Sequence, residues 1–322
     1  MTDTIAAFDL VKCYRGHSRP ALDGPSFNAE EGEVFGLVGP TGAGKTTAIE
    51  ILATRIMPTT GRALVCGIDV VTAPVRARRV LALVPQRPNL DCALTARQNL
   101  LFHAAYHCMP PRSRARRADE LLESVGMTGH ADASVRRLTA DQTLRLTLAR
   151  ELMHRPRVLF LDEPSVGLDP RSRAFLHGLV DELRTDGVTV LLATQDPSLA
   201  ARLCDHVAIL DEGRLVASGS PEALTRRPPE ARTATVTMDM CGAAESEVLT
   251  ILSRAEAVTA VVRMAPAGPP AVFRLTCADD PARLLPAVLE VLEYLGVRTL
   301  AAECHTATLD DIVLDMTGPE PV

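Results

Sequence analysis

Gly39-Pro40-Thr41-Gly42-Ala43-Gly44-Lys45-Thr46 matches the pattern G-x-x-x-x-G-K-[ST] in full. At average residue frequencies this string arises by chance in roughly one chain of this length in a hundred. Here the odds are nearer about one in a thousand, because only Lys12 and Lys45 among the 34 basic residues are lysines. The chemistry needs these residue types. Glycines let backbone N–H groups close around phosphate oxygens, and a helix opening behind the loop adds partial positive charge. Lys45 would neutralise β- and γ-phosphate oxygens, and the Thr46 hydroxyl would face Mg²⁺. The setting agrees: the apolar run Val34–Val38 ends at Gly39, and a helical pattern starts near Gly44.

Working outward, Val158-Leu159-Phe160-Leu161-Asp162-Glu163 supplies a second half. Four apolar residues predict a buried strand that delivers two carboxylates at its end. Asp162 would hold the Mg²⁺ shell, and Glu163 would polarise an attacking water. Further β-rich runs, Val80–Val84 and Val188–Ala193, alternate with helical segments such as Arg112–Val125 and Pro170–Arg184. That alternation predicts an α/β fold with a mainly parallel sheet covered by helices. Leu94 to Val125 is almost wholly helical in pattern, a helical insert between two sheet strands. A polar stretch with two prolines, Thr225–Arg232, marks a boundary. Beyond it the order strand (Thr233–Met238), helix (Glu245–Arg254), strands (Val258–Met264, Val272–Thr276), helix (Ala282–Leu295), strand (Val297–Ala302) predicts a ferredoxin-like module.

Composition narrows the function. The chain has 322 residues, 47% hydrophobic and only 3% aromatic, with a net charge of −6. Mild acidity and the lack of Trp argue against a polyanion binder and against aromatic stacking of single strands, so no nucleic-acid partner is expected. The basic stretch Arg112–Arg117 reads as a solvated helix face in an Arg-biased chain. No apolar run reaches the roughly 18–20 residues of a membrane span. Met1–Leu10 has neither a basic nor an apolar leader region, so no signal peptide is read. Eight dispersed cysteines without a C-x-x-C pair fit reduced thiols of a cytosolic chain, whose membrane role would come through a partner. His103, His107 and Cys108 recur at helical spacing, but no fourth ligand is apparent, and no metal is assigned there.

With these motifs in order, the chain resembles the ATP-binding cassette (ABC) ATPases, the nucleotide-binding subunits of ABC transporters. Leu161-Asp-Glu-Pro-Ser-Val-Gly-Leu-Asp169-Pro matches that family's Walker B stretch running into its D-loop. The likeness is greatest to the daunorubicin/doxorubicin-resistance type, through Leu94–Leu100, Arg117–Glu123, Leu168–Arg173 and the tail Thr308–Gly318. It implies a P-loop cassette over about residues 1–226, with antiparallel N-terminal strands and a helical subdomain at about 90–155. An accessory domain would follow at 232–318. It also implies that Tyr14 stacks on adenine and that Gly39 to Thr46, with Thr47, wraps the phosphates of ATP. Gln86, in Leu83-Val-Pro-Gln86, would touch Mg²⁺ or water and couple to an integral membrane permease. The cassette would sit on the inner face of the cell membrane as a homodimer or heterodimer.

Two positions depart from the family pattern. Gln195, in Val190–Gln195, stands where most members place a switch His; the drug-resistance group commonly has Gln there, and Gln still donates to a γ-phosphate. The Leu-Ser-Gly-Gly-Gln signature appears as Leu138-Thr139-Ala140-Asp141-Gln142. Thr139 keeps the hydroxyl that would reach the opposite subunit's γ-phosphate. Ala140 and Asp141 replace glycines, so a close approach or positive φ would be penalised by roughly 1 kcal/mol each. Asp141 would also oppose a polyphosphate, or serve as a helix cap turned away from it. The resemblance therefore implies an efflux ATPase, with hydrolysis that is slow or dependent on a partner. A non-hydrolysing ATP-binder that regulates or sequesters is the alternative. DNA-repair and translation members are disfavoured, lacking here their long coiled coil or tandem cassettes.

Overall fold

The computed structural model describes residues 3–225, 232–240, 245–255, 258–264, 270–277, 281–294, 296–305 and 308–317. The chain forms two compact units, Met1–Pro221 and Glu222–Pro319. The interior of the predicted Thr225–Arg232 boundary, the 265–269 turn, Cys241 and Gly318 lie outside the described residues.

The first unit begins with strands β1 (Asp3–Lys12), β2 (Leu22–Asp23), β3 (Phe27–Glu30) and β4 (Val34–Val38), then helix α1 (Lys45–Leu52). It continues through β5 (Thr60–Val65), β6 (Ile68–Asp69), α2 (Pro74–Ala77) and β7 (Leu81–Val84) to helices α3 (Ala96–Tyr106), α4 (Pro111–Ser124) and α5 (Ala140–Glu151). Then follow β8 (Val158–Asp162), α6 (Pro170–Thr185), β9 (Thr189–Thr194), α7 (Pro197–Leu203), β10 (His206–Asp211) and β11 (Arg214–Gly219).

A six-stranded sheet in the order β11-β10-β4-β9-β8-β7 carries the site. Every pairing in it is parallel except β10–β11. Each residue of β4, β7, β8 and β9 is buried, the expected outcome for apolar runs covered on both faces. A second sheet sets β1 antiparallel to β2, β3 and β5. Phe27 of β3 stacks on Phe35 of β4, ring centroids 5.6 Å apart. One core joins both sheets through Ile5, Leu37, Ile49 and Phe160. Helix α1 packs on β5, β8 and β9, which fixes the loop in front of it.

The helical insert Leu94–Val125 lies between β7 and β8, with α4 close to the Arg112–Val125 segment its pattern indicated. It breaks between α3 and α4, where Cys108 takes φ 57° and Pro110-Pro111 start the next helix without donating a backbone hydrogen bond.

The second unit holds α8 (Pro221–Thr225), β12 (Arg232–Asp239), α9 (Glu245–Arg254), β13 (Val258–Arg263), β14 (Ala271–Cys277), α10 (Pro281–Tyr294), β15 (Arg298–His305) and α11 (Leu309–Thr317), α8 straddling the division. Its sheet is antiparallel in the order β13-β14-β12-β15, the ferredoxin-like arrangement. Val236, Phe273, Val248 and Leu292 centre its core. Helix α11 was not foreseen. Thr308 opens it with a reciprocal cap: its hydroxyl accepts from Asp311 N (3.3 Å), and its N–H donates to the Asp311 carboxylate (2.9 Å).

Candidate functional site

Three neighbouring parallel strands end together, with Val38 beside Thr194 and Asp162 beside Ala193. Their C-terminal ends therefore gather the loop after β4, the carboxylates after β8 and Gln195 after β9. Loop geometry demands glycine at two points. A Cβ on Gly39 would lie 2.1 Å from the Leu210 carbonyl oxygen, and one on Gly44, at φ 101°, would lie 2.4 Å from that of Ala21. Gly44 precedes α1, and no side chain caps that helix. Its first N–H groups face a cleft of about 680 Å³ lined by Gly42 to Thr47 and by Tyr14, His17 and Arg19.

Lys45 is buried, and its ammonium donates to the carbonyls of Gly39 (2.7 Å) and Pro40 (3.0 Å). It also lies 3.2 Å from Glu163 Oε1. Glu163 takes a left-handed φ of 48°, uncommon for a non-glycine residue. Its N–H donates to Ala193 O (2.9 Å), and its Oε2 accepts from Gln195 N (3.1 Å). Gln195 Oε1 in turn accepts from the Thr41 hydroxyl (3.0 Å). Beside this chain of contacts, the Thr46 hydroxyl donates to Asp162 Oδ1 (3.1 Å). Burial pushes the Asp162 carboxyl up, against the Thr46 hydrogen bond, and the neighbouring Glu163 charge adds to the rise. An exposed hydroxyl on a buried carboxylate, beside a buried ammonium, fits a divalent hard cation next to phosphate.

Tyr14, 37% exposed, sets its hydroxyl 3.5 Å from Thr47 Oγ1 at the edge of the cleft, with Lys12 Nζ 5.2 Å from its ring centroid. The ammonium lies over one face of the ring, and His17 packs against it edge-on at 6.3 Å. Gln86 lines a different cavity, of about 400 Å³, together with Glu163, Ala140 and Leu168. No hydrogen bond joins Gln86 to Thr46 or Asp162 among the described residues.

The altered signature opens α5. Thr139 is the N-cap, its hydroxyl accepting from Gln142 N (3.2 Å) while Gln142 Oε1 accepts from Thr139 N (3.0 Å). The strain expected at Ala140 and Asp141 is not found: both lie in helix, and neither takes a positive φ. Asp141 does not cap the helix, nor is its carboxylate free. It accepts from Arg145 Nε (2.8 Å) and from the Ser172 hydroxyl (2.7 Å), while Ser172 N donates to the Asp169 carboxylate that caps α6. Neither Ser172 nor Arg145 stands out in the sequence; the i,i+4 spacing of Asp141 and Arg145 was the available signal. Arg150 was also missed as a site-organising residue. Buried on α5, it donates to Asn89 O (2.9 Å) and to the Asn89 side chain, just past Gln86. It is also paired with the buried Glu151 at 2.7 Å, and the adjacent Arg150-Glu151 charges among buried α5 residues were the available signal.

A loop of backbone donors, a buried lysine and paired carboxylates at the ends of parallel strands define a P-loop ATPase. The chain matches the ABC transporter family model over residues 22–166. It is 37% identical over 313 residues to the daunorubicin resistance ATP-binding protein DrrA2 of Streptomyces coeruleorubidus, across 92% of this chain and 90% of that protein. It is 34% identical to the Nod factor export ATP-binding protein I of Ralstonia nicotianae, across 93% and 89%. Among solved structures it resembles the dimeric cassette MJ0796 in a post-hydrolysis state bound to ADP and Pi, with TM-score 0.63 and 25% identity, over 67% of this chain and 98% of that one. The cbiO1 subunit of the Clostridium perfringens cbiONQ transporter complex gives 0.63 and 26%, over 79% and 95%. The chain belongs to the ABC transporter family, as an ATP-binding, ATP-hydrolysing subunit. No helix among its described residues is long and apolar enough to cross a membrane.

Proposed function

We propose that this chain hydrolyses Mg²⁺-ATP to power a separate integral membrane permease in drug or natural-product efflux. It would act as a dimer of cassettes on the cytoplasmic face of the cell membrane. The observation that carries the reading is the buried Lys45–Glu163 pair, 3.2 Å apart at the mouth of the loop. Phosphate oxygens entering the cleft draw Lys45 from Glu163. The released carboxylate accepts a proton from the water that attacks the γ-phosphorus. Gln195, held by Thr41, turns its amide toward the γ-phosphate, and Tyr14 offers its ring to the base. Thr46 and Asp162 would hold the Mg²⁺, which would supply neutralisation of phosphate charge.

Efflux is supported by the drug-resistance and export relatives. Contact with a permease is supported by α3, which exposes Phe102 and Tyr106 (61% and 73%), Phe102 lining a cavity with Asn89 and Arg150. We assign the cassette to residues 1–226, its helical subdomain to about 90–155 and the accessory domain to 232–318.

Asp141 favours slow turnover. Its carboxylate sits in the first turn of α5, where the family presents N–H groups to the opposite subunit's γ-phosphate, held there by Arg145 and Ser172. Phosphate release by the purified chain and by Glu163→Gln tests the function. The wild type turns over slowly; the variant binds ATP and loses about 100-fold or more in rate. In a strain lacking the gene, only the wild type restores drug efflux. A wild-type chain that binds ATP without hydrolysing it, even with a co-expressed permease, would establish the sequestering reading instead.

A further inference from the structure

The helical subdomain contains a cluster that ATP chemistry does not use. His103 lies in the last turn of α3 and His107 caps that helix, while His154, between α5 and β8, meets them from across the subdomain. One ring nitrogen from each falls within 4.8 Å of the others. The three are half-buried. Cys108, their neighbour in sequence, does not join: its thiol turns to the Tyr106 carbonyl at 3.9 Å.

We propose that His103, His107 and His154 form a three-imidazole site for a divalent transition metal of the zinc class, tying α3 to the segment that enters β8. His154 is prepared for such a role. Its Nε2 lies 2.9 Å from the Leu81 carbonyl and so carries the proton, leaving Nδ1 as the lone-pair nitrogen. A backbone carbonyl on the outer nitrogen is the usual device that orients a metal-binding His. That Nδ1 and His103 Nε2 are both buried with no hydrogen-bond partner among the described residues. Glu151 Oε2 lies 4.0 Å from His103 Nε2, while its Oε1 is paired with the Arg150 guanidinium at 2.7 Å. Burial, with the His107, Arg150 and His154 charges, pushes His103 down to about 3, and burial with His154 pushes His107 down to about 4.

Zinc–nitrogen bonds of about 2.0–2.1 Å place tetrahedral ligand atoms about 3.4 Å apart. The His107 and His154 rings stack 3.8 Å apart at 11°, so their planes are nearly parallel and cannot both contain one metal ion as they stand. Loading therefore tilts the two rings out of the stack and draws the nitrogens inward by roughly 1.4 Å or less, a side-chain rotation. Three nitrogens leave a fourth position for water.

The test uses the full-length, tag-free chain, stripped with chelator and kept free of nucleotide. Co²⁺ is titrated by visible absorption and Zn²⁺ by calorimetry. One Co²⁺ per chain with the intense bands of a four-coordinate nitrogen site, displaced by one Zn²⁺, is the expected result. His107→Gln and His154→Gln each weaken Zn²⁺ binding at least about tenfold, whereas His206→Gln, at an exposed ring paired with Glu33, leaves it unchanged. Only the weak spectrum of an oxygen-rich six-coordinate site, such as Thr46 and Asp162 would provide, overturns the proposal. So does wild-type affinity in His154→Gln. The wild-type cobalt spectrum decides even if a variant fails to fold.

Discussion

Helices α1 and α5 open in opposite ways. Before α1, Gly44 adopts φ 101° and contributes no side chain, and the first residue of the helix is a buried lysine. Before α5, Thr139 and Gln142 close a reciprocal capping box, and Asp141 adds a carboxylate to the first turn. Both termini carry the free N–H groups and partial positive charge of any helix start. The first leaves them for an incoming anion. The second ties the Gln142 N–H to the Thr139 hydroxyl and sets the Asp141 carboxylate against the positive charge of the first turn. Anion binding is thus a property of what the flanking residues leave undone.

Replacing Lys45 by Ala tests the open terminus most severely. ATP affinity and turnover fall about 100-fold or more, because the backbone donors alone leave the β- and γ-oxygens without a counter-charge; equilibrium nucleotide binding measures it, and retained affinity would break the comparison. Gly44→Ala comes next. Its Cβ would meet the Ala21 carbonyl at 2.4 Å in a left-handed backbone, costing about 2 kcal/mol or more in thermal or denaturant unfolding. On the sealed terminus, Ala140→Gly with Asp141→Gly removes the carboxylate and frees the backbone. Turnover by the purified chain then rises about tenfold, or about 1.4 kcal/mol, and no gain would sink the idea of slow closure. The smallest effect belongs to Thr139→Ala, which loses the cap and about 1 kcal/mol of stability, while ATP affinity of the isolated chain stays unchanged.

The central strands were legible because each is a short apolar run bounded by turn residues, and β4 spans the residues its pattern indicated. Of the site, Lys45, Thr46, Asp162 and Glu163 were legible because their spacing is dictated by what phosphate and a divalent cation require. Three features were not. The break at Cys108 hides in an otherwise helical pattern, although Pro110-Pro111 marks it in retrospect. Helix α11 is announced only by Thr308-x-x-Asp311. The partners of Asp141 lie 4 and 31 residues away, and no local rule selects Ser172 from among the serines.

By itself, the sequence determined the phosphate loop, the order of strands and helices and the family, because periodicity and motif spacing are local properties of the chain. The tertiary structure decided which groups are already satisfied. Lys45 rests on Glu163, Gln195 on Thr41 and Asp141 on Arg145 and Ser172, while His154 crosses the helical subdomain to meet His103 and His107. Such pairings depend on strand ends and helix faces brought together by burial, and burial is settled only when the whole core assembles.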